Sequence, residues 1–278
     1  MKKLLTLLVA AAMTLGMAFG FTSCTDVTGT DNTLIVYTEA GFAPFEYISG
    51  NEIVGVDVEI MNLVGKKLNK TVKFENVAFD TIIDAVSAGK LCNVGAAGIS
   101  ITDARKEKVD FSNEYYTANL YVIYPADKAA DYQVKTTDGK TGIYWDKLAG
   151  KTIAVQSGTT ADLFAGDEIG EGGTIGGTGA KISGFDELAT ALEDVGVNSD
   201  VLIIDELPAQ KLIEGKSKYA CAPLYYKGGE GEADEPACDV YAIAVTKGQT
   251  ELLNAINEVL EELGAEGIQA LVNKHLGI

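Results

Sequence analysis

From Leu34 onward, short apolar runs alternate with stretches in which apolar residues recur every three or four positions. Such runs read as buried strands, and the 3.6-residue stripes read as amphipathic helices. Residues 34–38 predict a first strand, and residues 45–48 and 53–56 a hairpin turning at Ser49-Gly50-Asn51. Asp57 stands where a helix cap belongs, ahead of a stripe carrying Ile60, Val64 and Leu68. Residues 71–77 predict the next strand, and Phe79, Ile82, Ile83 and Val86 the helix after it. A strand follows at 93–96, then a short helix opened by Thr102 that carries Arg105. This rhythm predicts an α/β fold with a mostly parallel sheet and helices on both faces.

A second α/β unit begins after Tyr116. Strands are predicted at 121–124, 151–156 and 201–204, with helices at 186–193 and 208–213. The chain then returns to strand at 240–245 and ends in a long helix with Leu252, Ile256, Val259, Leu260 and Leu263 on one side. The glycine-rich run 170–181 lacks the Gly-Lys-Ser/Thr ending of a phosphate loop and reads as a flexible surface loop.

The N-terminus adds an address. Met1-Lys2-Lys3 is followed by an apolar run (residues 4–18) too short for a comfortable membrane span, then by Phe21-Thr22-Ser23-Cys24. This pattern is similar to a bacterial lipoprotein signal over residues 1–23, with Cys24 as the lipidated residue, although Phe21 stands where leucine is usual. A plain secretory signal and an uncleaved anchor are the alternatives; each places the protein outside the cytoplasm. Residues 24–33 are small and polar and read as a tether. The remaining roughly 250 residues suffice for one large or two medium lobes. A formal charge of −18 argues against nucleic-acid or anionic-lipid partners.

Four cysteines and one histidine give no zinc spacing, and no cofactor motif is present. Cys92, in an apolar strand, reads as a buried free thiol. Cys221 and Cys238 bracket an acidic loop, and an exported protein permits a disulfide between them. His275 reads as a solvated helix-end residue.

The candidate chemistry is ligand capture. Gly95 to Gly98 are small, so a ligand can approach the backbone. Ser100 and Arg105 then offer donors sized for a carboxylate. Gln156-Ser157-Gly158-Thr159-Thr160 ends a strand and opens a helix, so Thr159 and Thr160 present hydroxyls beside backbone amides and the helix dipole. Asp205 follows four apolar residues, at the carboxyl end of a buried strand, where open α/β sheets bind ligands.

The run Ala97-Gly98-Ile99-Ser100-Ile101-Thr102, with Arg105, Val109-Asp110-Phe111-Ser112 and Tyr115, resembles the extracytoplasmic solute-binding proteins of polar amino-acid ABC importers. Asn93 in place of the family's Asp, and the longer Gly89–Cys92 approach, depart from the pattern upstream of these residues. The resemblance covers about 34–277 and implies two Rossmann-like lobes joined by a two-strand hinge, the type II periplasmic binding protein fold. Lobe 1 would comprise 34–118 and 239–278, and lobe 2 residues 119–238, with crossings near 116–120 and 238–241.

It further implies a hinge-closing receptor without cofactor, lipid-anchored outside the cell membrane and monomeric, that passes an L-amino acid to a membrane permease. Arg105, Ser100, Gly98, Thr159 and Thr160 would hold the ligand's carboxylate, and Asp205 with Gly98 its amino group. Glu39, Phe42, Phe79 and Gln156 would frame its side chain, with Glu39 suited to arginine, lysine or glutamine. A dehydratase of the same fold acting on a cyclohexadienyl acid, and a sensory amino-acid receptor, are the alternatives. A hydrolase finds no support in a chain with one histidine.

Overall fold

A computed structural model of the chain describes residues 32–278. Segment 1–23, Cys24 and most of the 24–33 tether therefore lie outside the described residues. Thr33, expected in the tether, already opens the first strand, Thr33–Thr38.

That strand pairs in parallel with Thr71–Asn76 on one side and Val94–Gly95 on the other. Ala244–Val245 and Asp110–Phe111 complete a five-stranded sheet in antiparallel register. Alternation along the first strand decides what covers each face. Leu34 and Val36 join a core with Ile60 and Val64 of helix Val56–Leu68 and Ile256 of the C-terminal helix Thr250–Leu276. Ile35 and Tyr37 point the other way, toward Ile82 and Val86 of helix Phe79–Ala88. The sheet is thus sandwiched between helices, as the periodicity predicts.

The second sheet runs Lys181–Phe185, Thr152–Gln156, Val201–Asp205, Tyr116–Pro125, Tyr219–Tyr226, Thr141–Tyr144 and Val134–Lys135. Its core holds Trp145, Ile153, Val155 and Ile203. Ile175, the one large apolar residue of the glycine-rich segment, is fully buried in that core. The segment is therefore pinned to the lobe rather than a free surface loop.

Tyr116–Pro125 runs through both lobes. Its first four residues pair with Cys238–Tyr241, and Leu120 to Ile123 pair with Asp205 to Leu202. These two antiparallel segments form the crossing between the sheets. Directly opposed residues share a face, and residues two apart share one as well. Asp205 lies opposite Leu120 and Asp239 opposite Ala118, so both carboxylates rise on the same side of the crossing strand.

Several expectations need correction. Helix Val56–Leu68 is capped by Gly55, not Asp57, which is fully buried. The strand expected over 240–245 is two strands, Cys238–Tyr241 and Ala244–Val245, because the first belongs to the crossing and the second to the first sheet. Cys221 and Cys238 are free thiols. Their partners on the crossing strand, Ile123 and Asn119, are four residues apart, or about 13 Å, beyond disulfide reach. His275 is not solvated: its side chain is 9% exposed, its Nε2 lies 2.6 Å from Glu59 and its Nδ1 3.2 Å from Tyr47 Oη. Cys92 is a buried free thiol, and burial pushes its pKa up to about 11.

Candidate functional site

A narrow, nearly filled cavity lies between the lobes, beside the crossing strands. The first lobe supplies Glu39, Phe42, Phe79, Gly98 and Ser100, and the second supplies Gln156, Thr159, Thr160 and Asp205. Nine expected positions from five separated segments therefore meet at one place. Arg105 does not line this cavity; it sits immediately behind it, in the groove shared by Phe79, Thr102 and Gly158.

Local structure explains the placements. Thr102 caps the short helix Asp103–Lys106 by accepting from the Arg105 amide, which fixes the arginine's backbone. Its guanidinium lies 5.5 Å from the Phe79 ring centroid. It donates to Ser100 O at 2.6 Å and, across the cleft, to Gly158 O at 2.8 Å. The expected fork of Ser100 hydroxyl and Arg105 is thus not the observed one: the arginine grips backbone carbonyls of both lobes. Burial pulls its pKa down to about 10, so it remains a cation at neutral pH. Three of its five N–H donors are left for other acceptors.

Two glycines are required here. Gly98 has φ of +52°, and a Cβ on it would stand 2.8 Å from the Phe42 ring. Gly158 has φ of +75°, and its Cβ would stand 3.0 Å from Asp80 Cβ of the opposite lobe. Gly98 departs from expectation in one respect. Its amide donates to Asp57 Oδ2 at 2.9 Å, so it is not free for a ligand carboxylate. Asp57 also accepts from Tyr115 Oη at 2.6 Å, and burial pushes its pKa up to about 6.

Thr159 caps helix Thr160–Ile169: it accepts from the Asp162 amide, and its hydroxyl donates to Gln156 O at 2.7 Å. The Gly158 amide is taken by Asp162 Oδ2 at 2.9 Å, which leaves fewer free amides than the sequence suggests. Gln156 donates to Asp186 O at 3.0 Å. Asp205 precedes helix Glu206–Ile213 but makes no side-chain capping bond, so its carboxylate is available to the cavity.

The cavity's charge is its main property. Glu46, which the sequence reading passed over, also lines it and is fully buried. Among the described residues no hydrogen-bond partner meets either Glu46 carboxylate oxygen, Glu39 Oε2 or Asp205 Oδ1. No lining residue is Lys, Arg or His. Burial raises the pKa of Glu39, Glu46 and Asp205, and Asp239 adds repulsion at Asp205. Closely placed carboxylates in a dry site either take up protons or require a cation. Glu46 had a weak signal, an acid flanked by Phe45 and Tyr47 in an alternating strand, whereas Asp239 had none beyond its place in the crossing. A larger, open hollow lies elsewhere on the second lobe, around Tyr132, Asn198 and Lys218, without buried unpartnered groups of this kind. No described helix is long and apolar enough to cross a membrane.

The sequence profile of the bacterial extracellular solute-binding proteins, family 3, matches residues 34–278. The chain is 36% identical over 168 residues to the arginine-binding extracellular protein ArtP of Bacillus subtilis, a match spanning 57% of each chain. It is 28% identical to the putative ABC transporter arginine-binding protein 2 of Escherichia coli, over 87% of this chain and 90% of that one. Its fold is similar to that of the amino-acid ABC transporter substrate-binding protein AbpA of Streptococcus pneumoniae, solved with L-arginine. That match has a TM-score of 0.74 at 24% identity and covers 88% of this chain and 95% of the other.

Proposed function

This chain belongs to the bacterial extracellular solute-binding proteins, family 3, and we propose that within it the protein captures a cationic L-amino acid, arginine or lysine, between its lobes. The observation that carries this reading is a cavity with three buried, incompletely bonded carboxylates and no basic lining residue. A ligand with two cationic groups and one carboxylate supplies a cation at each end of it. Asp205 takes the α-ammonium, and Glu39 and Glu46 take the distal guanidinium or ammonium. Phe42 and Phe79 flank the aliphatic stem, with Gln156 near its distal end. Arg105, Ser100, Thr159 and Thr160 meet the α-carboxylate. Glutamine would leave the distal acids uncompensated, and glutamate would add to the repulsion.

The lobes, taken as 34–118 with 239–278 and as 119–238, close about the two crossing segments. The contact from Arg105 to Gly158 O reports closure, because it exists only when the lobes meet. Members of the family serve ABC importers. For this chain we assign a lipid on Cys24 as the tether, a membrane permease as the recipient and a monomer as the working form. The relatives it matches are binding proteins rather than enzymes, which leaves the dehydratase alternative without support. A thermal-shift screen over the standard amino acids tests the reading. A ligand at a hundred times its Kd adds about 2.7 kcal/mol of stability. Arginine and lysine are expected to give the largest shifts; a largest shift from glutamate or aspartate would reject it.

A further inference from the structure

Asp239 lies on the crossing strand Cys238–Tyr241 and belongs to neither the apolar core nor the set of residues lining the cavity. Its Oδ2 accepts from Ser100 Oγ of the first lobe at 2.8 Å and from Thr160 Oγ1 of the second. Ser100 and Thr160 hydroxyls also lie 3.2 Å from each other. Burial raises the pKa of Asp239, and the Thr160 and Ser100 hydroxyls with the nearby Arg105 oppose that rise. The two hydroxyls assigned above to a ligand's carboxylate are therefore already held by a carboxylate of the chain, while the guanidinium is held by Ser100 O and Gly158 O. The other oxygen, Oδ1, is buried without a partner among the described residues.

We propose that Asp239 is a resident surrogate for the ligand carboxylate, so that the site accepts the decarboxylated amine of a basic amino acid at least as readily as the amino acid itself. This rests on the reading of Asp205, Glu39 and Glu46 as the groups that hold a dication. An amino acid has two ways to enter. It can expel Asp239 from Ser100 and Thr160, or it can bring a second carboxylate beside Asp239 and Asp205. A diamine or guanidino-amine does neither. Its ammonium faces Asp205, its distal cation faces Glu39 and Glu46, and Asp239 keeps both hydroxyls. The negative charge on the crossing strand thus sets the choice between two ligands with the same cationic tail.

Calorimetry on the wild type, Asp239→Asn and Asp239→Ser, with L-arginine and agmatine as the probe pair, tests this. Both variants are first checked for a cooperative melt. In the wild type agmatine is expected to bind at least as tightly as arginine. In the variants the affinity ratio is expected to move toward arginine by about tenfold or more. A ratio within about twofold of wild type in both variants would overturn the proposal, as would a wild type that binds arginine but not agmatine; in either case the amino-acid reading stands. Binding of agmatine alone would support Asp239 as surrogate and reject the amino-acid reading. Binding of neither compound would reject both.

Discussion

Replacing Arg105 with alanine removes a guanidinium that bonds both lobes from immediately behind the cavity. The side chain is 8% exposed, so water does not readily take its place. Truncation strands Ser100 O and Gly158 O, which it now serves at 2.6 and 2.8 Å. It also leaves Asp239 without its neighbouring cation. Hydrogen bonds from a charged donor contribute about 1.5–3 kcal/mol each. Breaking a buried pair by removing one partner costs roughly 3–5 kcal/mol. The expected loss in arginine affinity is therefore between about a hundredfold and several thousandfold. Arg105→Lys keeps the charge but cannot fork to two carbonyls, so an intermediate loss is expected. Titration calorimetry with L-arginine at pH 7.5 reads the affinity, and small-angle scattering reads closure. A variant that binds as wild type and still compacts on adding arginine would refute the role given to this side chain.

Acid titration gives a second test. Burial raises Asp57 to about 6 and raises Glu39, Glu46 and Asp205, so the folded chain holds these protons more tightly than the unfolded one. Stability from such groups is fully present below the unfolded pKa, near 4, and is lost as pH rises through the folded value. The melting temperature is thus expected to fall between about pH 5 and 7, and saturating arginine to flatten that fall by supplying the missing cation; a rising curve would contradict the raised values. His275→Ala is expected to destabilise by about 1–2 kcal/mol through loss of the Glu59 and Tyr47 bonds, in urea titration, with arginine affinity unchanged. Thiol labelling of the native protein is expected to modify exposed Cys238 first and buried Cys92 only on unfolding, with no change in melting temperature on adding reductant. A reductant-sensitive melt would instead mean that Cys221 and Cys238 pair.

The strand and helix rhythm was legible because each element buries one face and its periodicity is local. Asp205 could be placed for a similar reason, since an acid after four apolar residues marks the end of a buried strand. Glu46 and Asp239 were not legible in that way. A buried acid in a short strand has the same local pattern as a solvated one, and only the opposite lobe reveals which it is. His275 misled for the same reason: its partners Tyr47 and Glu59 lie more than two hundred positions earlier in the chain. Arg105 lies behind the cavity rather than lining it, and its bond to Gly158 O depends on how the lobes meet, which no single segment encodes.

Crystals grown with L-arginine would show most directly whether the acidic cavity holds a cationic amino acid. The guanidinium should bond Glu39 or Glu46 and the α-ammonium should bond Asp205. Arginine bound outside the cleft, or with its carboxylate against Glu39 and Glu46, would contradict the assignment.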